Sequence, residues 1–223
     1  MFFPIGDDQI RGGYYPIFSY SLLALNVLIF IYQMLLPPEQ LEAFLYTYSA
    51  IPVEIMRGQD LFTLVTSMFL HGGWMHLIGN VLFLWVFGDN IEATVGNATF
   101  ILFYLVGGVI ASLAHCYFNP LSEIPSLGAS GAISAVMGAY LIMFPASKVK
   151  VFVFLLVVLR KITMSALAFL GIWIGFQVIS GLQNFGIGPN EGGTAWWAHI
   201  GGFVVGLLFG FLFRSRALQF ELG

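Results

Sequence analysis

The 223-residue chain is 59% hydrophobic and only 9% charged, with mean hydropathy +0.90 and a formal net charge of -3. Soluble domains carry about 25% charged residues, so this composition cannot dress a water-facing surface and points to lipid as the main solvent. The single cysteine, Cys116, excludes an intrachain disulfide and a cysteine-based metal site.

A helix crossing a hydrocarbon core of about 30 Å needs about 20 mostly apolar residues. Taken in chain order, residues 1–15 read as a short cytoplasmic segment. Asp7, Asp8 and a lone Arg11 make a poor signal-peptide start, so the first apolar run, 16–36, is expected to be a retained span. A long loop, 37–73, follows. It holds Pro37-Pro38, the amphipathic LEAFLYTY and the apolar LFTLVTSMFL, and is expected to lie partly in the membrane interface. Further spans are predicted at 74–92, 97–118, 128–146, 162–182 and 194–213. The stretch 149–159, VKVFVFLLVVL, is too short to cross and reads as an interfacial segment. Residues 214–223 form a short cytoplasmic tail. The expected fold class is all-α: a polytopic six-helix membrane bundle over 16–213.

Charge supports that count. With six spans, Arg11, Lys148, Lys150, Arg160, Lys161, Arg214 and Arg216 fall on one side and Arg57 alone on the other. This segregation follows the positive-inside rule and makes both termini cytoplasmic.

Polar groups inside spans are costly and mark functional sites. His76 and Asn80 lie in HGGWMHLIGN, Ser130 in GASG, and His199 in WWAHIGG. All four sit near the starts of spans 2, 4 and 6. These even-numbered spans begin on the outer side, so three helices bring the four residues to one shallow depth. Singly, each has a plainer reading: Ser130 as a helix cap, His199 as an interfacial histidine, Asn80 as interhelical glue. Their shared depth favours a joint site. His71 and His115 lack such partners and read as structural or interfacial. His71 and His76 do not share a helical face, and no H-E-x-x-H occurs, which argues against a zinc hydrolase.

Small residues recur four apart at Gly202, Gly206 and Gly210, and at Ser134 and Gly138. Such faces let helices approach closely, which would bring spans 4 and 6 together and Ser130 within reach of His199.

The set His76-x-x-x-Asn80, Gly128-x-Ser130-Gly131 and Ala198-His199-x-x-Gly202 closely resembles that of the rhomboid intramembrane serine proteases, and the likeness extends over about residues 16–213. The resemblance implies that Ser130 is the nucleophile and His199 the base of a dyad. It also implies that His76 and Asn80 donate to the oxyanion, and that single-span membrane proteins are the substrates, cut in or near the membrane. It implies a multi-pass protein of the cell membrane, working near the outer face among lipids, with no cofactor, metal or nucleic acid. Gly128 would let substrate approach the serine, and Trp173 and Phe176 of span 5 would meet substrate at a lateral gate. The glycine-rich loop QNFGIGPNEGG would serve as its hinge. Two positions depart from the family pattern. The first loop lacks a Trp-Arg pair, and Ser134 stands where many members carry an aromatic supporting the histidine, so another group must orient His199. Two other readings stay open: an inactive relative that binds membrane helices, and a small channel or transporter. The second would need a polar path right across the membrane, and the polar groups here gather at one end.

Overall fold

The computed structural model describes residues 2–155, 158–185 and 194–220, without the side chains of 2, 154, 155, 158 and 159. Nine α-helices and three strands are found among them. The helices are α1 (Ile17–Leu35), α2 (Pro38–Tyr48), α3 (Pro52–Met56), α4 (Thr63–Thr66), α5 (Trp74–Val95), α6 (Asn97–Phe118), α7 (Ser130–Met143), α8 (Ala166–Gln183) and α9 (Trp196–Ala217). The strands are β1 (Phe2–Gly6), β2 (Lys148–Leu155) and β3 (Val158–Ser165).

On length and apolarity, α1, α6, α8 and α9 can each cross a membrane. A fifth candidate is α5 together with the helical stretch Thr63–Phe69, which meets it at a bend of 95°. The protein is thus a multi-pass helical membrane protein. The remaining apolar helix, α7, has only 14 residues, or about 21 Å of rise. It is also the most enclosed, with every residue from Gly131 to Tyr140 buried. Small side chains make this possible. A methyl group built on Gly206 of α9 would stand 1.9 Å from the Ala135 carbonyl oxygen, and one on Gly138 would stand 2.2 Å from that of Phe203. On the α6 side, Gly107 would meet the Ala135 methyl at 2.8 Å. α7 thus packs backbone against backbone on α9, as the small-residue spacing predicts, and also lies close against α6.

The segment expected to be interfacial, 149–159, is strand in its described residues. Residues 148–155 and 158–165 form an antiparallel hairpin, and β1 pairs with β2 on its other edge, in the order β1-β2-β3. The physical reason lies in a period of two. Val149, Val151 and Val153 are buried while Lys148 and Lys150 are exposed, and alternating β-branched residues favour a half-buried strand. Residues 162–165 consequently belong to β3, and α8 starts at Ala166 rather than at 162. The helical class stands, with a three-stranded sheet added at the end of the bundle opposite the start of α7.

Two carboxylates lock that end. Glu92, fully buried near the end of α5, accepts from the Phe18 N–H (2.8 Å), the Ser19 N–H (2.6 Å) and the Ser19 hydroxyl (2.7 Å). It thereby satisfies the donors that the start of α1 leaves unpaired, where negative charge also complements the helix dipole. Asp7, just past β1, accepts from the Tyr140 hydroxyl and from Asn90 Nδ2 (2.8 Å).

Candidate functional site

Ser130 is the first residue of α7. Gly128 precedes it with φ +122°, a left-handed conformation that only glycine adopts without strain. The same glycine donates its N–H to the Ser67 carbonyl at 2.8 Å, which ties the approach of α7 to the first long loop. That loop is held without a Trp-Arg pair. Ala50 and Ser126 exchange backbone hydrogen bonds of 3.0 and 2.8 Å. The Gln33 amide both donates to the His71 carbonyl (3.0 Å) and accepts from its N–H (3.1 Å).

The four polar residues expected together do meet. Ser130 Oγ lies 2.8 Å from His199 Nε2. Across the Gly128 backbone stand the other two: a methyl built on Gly128 would lie 2.5 Å from His76 Nε2 and 3.6 Å from Asn80 Nδ2. All four line one cavity of about 790 Å³ at the Ser130 end of the bundle. The shortness of α7 leaves this space above its first turn.

The orientation of each group follows from its partners. His199 Nδ1 is 2.7 Å from Gln177 Oε1. An amide oxygen can only accept, so Nδ1 carries the hydrogen and Nε2 presents its lone pair to the serine hydroxyl. Gln177, on α8, is the group that orients His199. Ser134 does something else: its hydroxyl donates to the Ser130 carbonyl at 2.6 Å, one turn back along α7. His76 Nδ1 accepts the Gly72 N–H at 3.4 Å, leaving Nε2–H free to donate. Asn80 Nδ2 is buried and has no hydrogen-bond partner. An unpaired buried amide is costly, and here it faces the cavity beside the start of α7. There the helix leaves its first N–H groups over.

The other residues singled out from the sequence divide. Trp173 lines the cavity, and its ring lies 5.7 Å from that of His199. Phe176 does not line it. It is 59% exposed on the outer flank of α8, edge-on to Trp196 at 5.7 Å. Residues 186–193 of the predicted hinge loop lie outside the described residues. His115 and Asn119, at the end of α6, also line the cavity, a role that sequence reasoning missed. Their i, i+4 spacing at the end of a span carried the only signal. Among the described residues no cluster of three His, Cys, Asp or Glu could hold a metal ion.

Comparison with known proteins points the same way. The family model for the rhomboid domain matches residues 58–216. Rhomboid protein 1, mitochondrial, of Saccharomyces cerevisiae is 28% identical over 205 residues, 90% of this chain and 54% of the relative. Rhomboid protease GluP of Bacillus subtilis is 31% identical over 192 residues, 86% of this chain and 34% of the relative. RHOMBOID-like protein 4 of Arabidopsis thaliana is 29% identical over 165 residues, 73% of this chain and 36% of the relative. The chain thus spans about half the length of these relatives, or less.

Proposed function

The chain belongs to the rhomboid family, and on that premise we propose that it is an intramembrane serine protease working through a Ser130–His199 dyad. Its substrates are single-span membrane proteins, cleaved in or near the transmembrane segment. The observation that carries this reading is the 2.8 Å contact between Ser130 Oγ and the lone-pair nitrogen of His199, with unpaired donors on the far side of Gly128.

A serine hydroxyl is a weak nucleophile until a base takes its proton. His199 Nε2 accepts that proton as Oγ attacks the scissile carbonyl carbon. The negative charge that develops on the carbonyl oxygen meets Asn80 Nδ2, His76 Nε2–H and the N–H of Ser130. A donor of this kind is worth about 3–4 kcal/mol in the transition state. The imidazolium then returns its proton to the leaving amine, and the peptide bond breaks. Water entering the cavity attacks the acyl-enzyme, with His199 again acting as base. Gln177 holds the ring in the right tautomer but brings no negative charge, so this is a dyad with a neutral support rather than a triad.

Six crossings with both termini cytoplasmic agree with the distribution of basic residues and would put the cavity near the outer face. A membrane-embedded substrate then enters sideways, between α5 and α8. These helices meet through aromatic rings, with Phe83 on Phe169 (6.0 Å) and Trp173 (6.3 Å), and Phe87 on Phe169 (6.0 Å). Parting this seam leaves α7 and α9 in place, and with them Ser130 and His199.

The test is cleavage of a fluorescent single-span reporter by the purified protein, alongside labelling with a fluorophosphonate. Ser130→Ala and His199→Ala should each abolish turnover while leaving the folded protein intact. The double variant should be little worse than either, because the pair acts as a unit. Retention of more than about a tenth of wild-type turnover by either single variant would remove the dyad assignment.

A further inference from the structure

The opposite end of the bundle carries a second cavity, of about 320 Å³, which the proteolytic reading does not use. Its walls are Tyr14, Tyr15 and Tyr20, and its deepest members are Asp89 and Asn90, at 7% and 1% exposure. Asp89 lies 13 residues along α5 from His76, about 20 Å at the helical rise, so the two cavities are separate sites.

The hydrogen bonds around Asp89 are unevenly shared. Glu92 has three donors, as described above. Asn90 spends its amide group on Asp7 Oδ2 (2.8 Å) and the Asp8 carbonyl (2.9 Å), and its oxygen accepts the Ile10 N–H (3.0 Å). Gln9 donates to Asp7 at 2.8 Å and its side chain also hydrogen-bonds Asp89. Asp89 itself accepts the Asn90 N–H at 2.7 Å, and no lysine, arginine or histidine lines the cavity with it. A buried carboxylate is normally paired with a cation. Among the described residues no cluster of three His, Cys, Asp or Glu marks a metal site for such a cation. The walls specify its chemistry. Aromatic faces attract organic cations, and rings around a carboxylate form the kind of cage that binds ammonium groups. Tyr15 and Tyr20 stand 6.2 Å apart at 56°, open to solvent on their outer sides. The interface position of tyrosines in a membrane protein accounts for the rings alone, but not for a buried acid without a counter-ion beneath them.

We propose that this cavity binds a small organic ammonium group, carried by a zwitterionic phospholipid headgroup or by a free amine. Its place favours the lipid. Pro16 lines it and Ile17 opens the first membrane-crossing helix, so the cavity sits at headgroup level with α1 leading into the acyl region. The segment 9–15 that closes it crosses tightly over α5. Gly13 takes φ +88°, and a methyl there would stand 2.5 Å from the Ala93 carbonyl oxygen. Bound headgroup would therefore also fasten the N-terminal strand to the bundle.

The experiment uses the full chain in detergent, given equimolar phosphatidylethanolamine, phosphatidylcholine and phosphatidylglycerol, with retained lipid counted by native mass spectrometry. A parallel arm measures melting in millimolar ethanolamine or choline. The two ammonium lipids should be retained roughly threefold or more over phosphatidylglycerol. Asp89→Asn should erase that preference and, by removing a buried charge that has no counter-ion, should not lower the melting temperature of lipid-free protein. Tyr15→Ala, at a residue 73% exposed and so safe for folding, should cut the preference while Tyr15→Phe keeps it. Stabilisation by the soluble amines without lipid preference assigns the site to a free amine. Equal retention of all three lipids with no response to either amine overturns the proposal. So does an unchanged preference in both Asp89→Asn and Tyr15→Ala.

Discussion

Gly202→Ala offers a sharp test of how the site is held. The added methyl would sit 2.2 Å from the Gly131 carbonyl oxygen and 3.2 Å from Ser134 Cβ. Carbon and oxygen atoms come no closer than about 3.3 Å even in favourable contacts, so α7 and α9 must part by about 1 Å. The obstacle is backbone on both sides and cannot rotate away. Ser130 adjoins Gly131, and His199 lies one turn before Gly202. The same displacement would stretch the 2.8 Å Ser130–His199 contact beyond hydrogen-bond range. Misplacement of about 1 Å costs roughly 100-fold in rate, and overpacking costs about 1–3 kcal/mol in stability. The control is Gly171→Ala on α8, where a methyl meets nothing within 4 Å and helix propensity favours alanine. Turnover of the fluorescent single-span reporter and thermal melting would be measured for both variants. If Gly202→Ala matched Gly171→Ala in both, the close contact of α7 and α9 could not be what aligns the dyad.

Three further outcomes are expected. Gln177→Ala should lower kcat by roughly 10–100-fold with little change in KM, short of the ~10⁴ lost when a triad histidine takes the wrong tautomer, and Gln177→Glu should recover part of the loss; a KM effect alone would make Gln177 a substrate contact. Burial raises the Asp7 carboxyl to about 7, the Tyr140 hydroxyl opposing and the nearby Asp89 adding to the shift. A raised folded value contributes stability that is complete below the ordinary 3.8 and lost as pH rises through about 7. Wild-type melting temperature should therefore fall between pH 4 and 8 more steeply than that of Asp7→Asn, and parallel curves would remove Asp7 as the cause. Phe83→Ala should open the α5–α8 seam and raise cleavage of the membrane reporter by roughly 2–10-fold while barely changing that of a short soluble peptide; equal effects on both would place the entry route elsewhere.

Much of the molecule is legible in its sequence. The span predicted at 97–118 is α6 to the residue, because apolarity over a membrane's thickness is a local property of the chain. Ser130, His199, His76 and Asn80 can be gathered because each is a polar group that lipid makes costly. The small-residue spacing at Gly202, Gly206 and Gly210 declares a close helical contact because only absent side chains permit one. What lies beyond the sequence depends on pairing across distance. Nothing local marks Gln177 as the partner of His199, 22 residues away on another helix. Residues 149–155 show a local period of two, but nothing local announces that β1, more than a hundred residues earlier, pairs on their outer edge. The depth of α7 is equally hidden. Its predicted span runs from 128 to 146, yet the helix occupies Ser130–Met143, and the room above it that makes a cavity is set by the longer helices on either side. Local chemistry dictates which segments enter the membrane and which groups must find partners there. Which partners they find is decided by packing, since the energy of each pairing belongs to two segments at once.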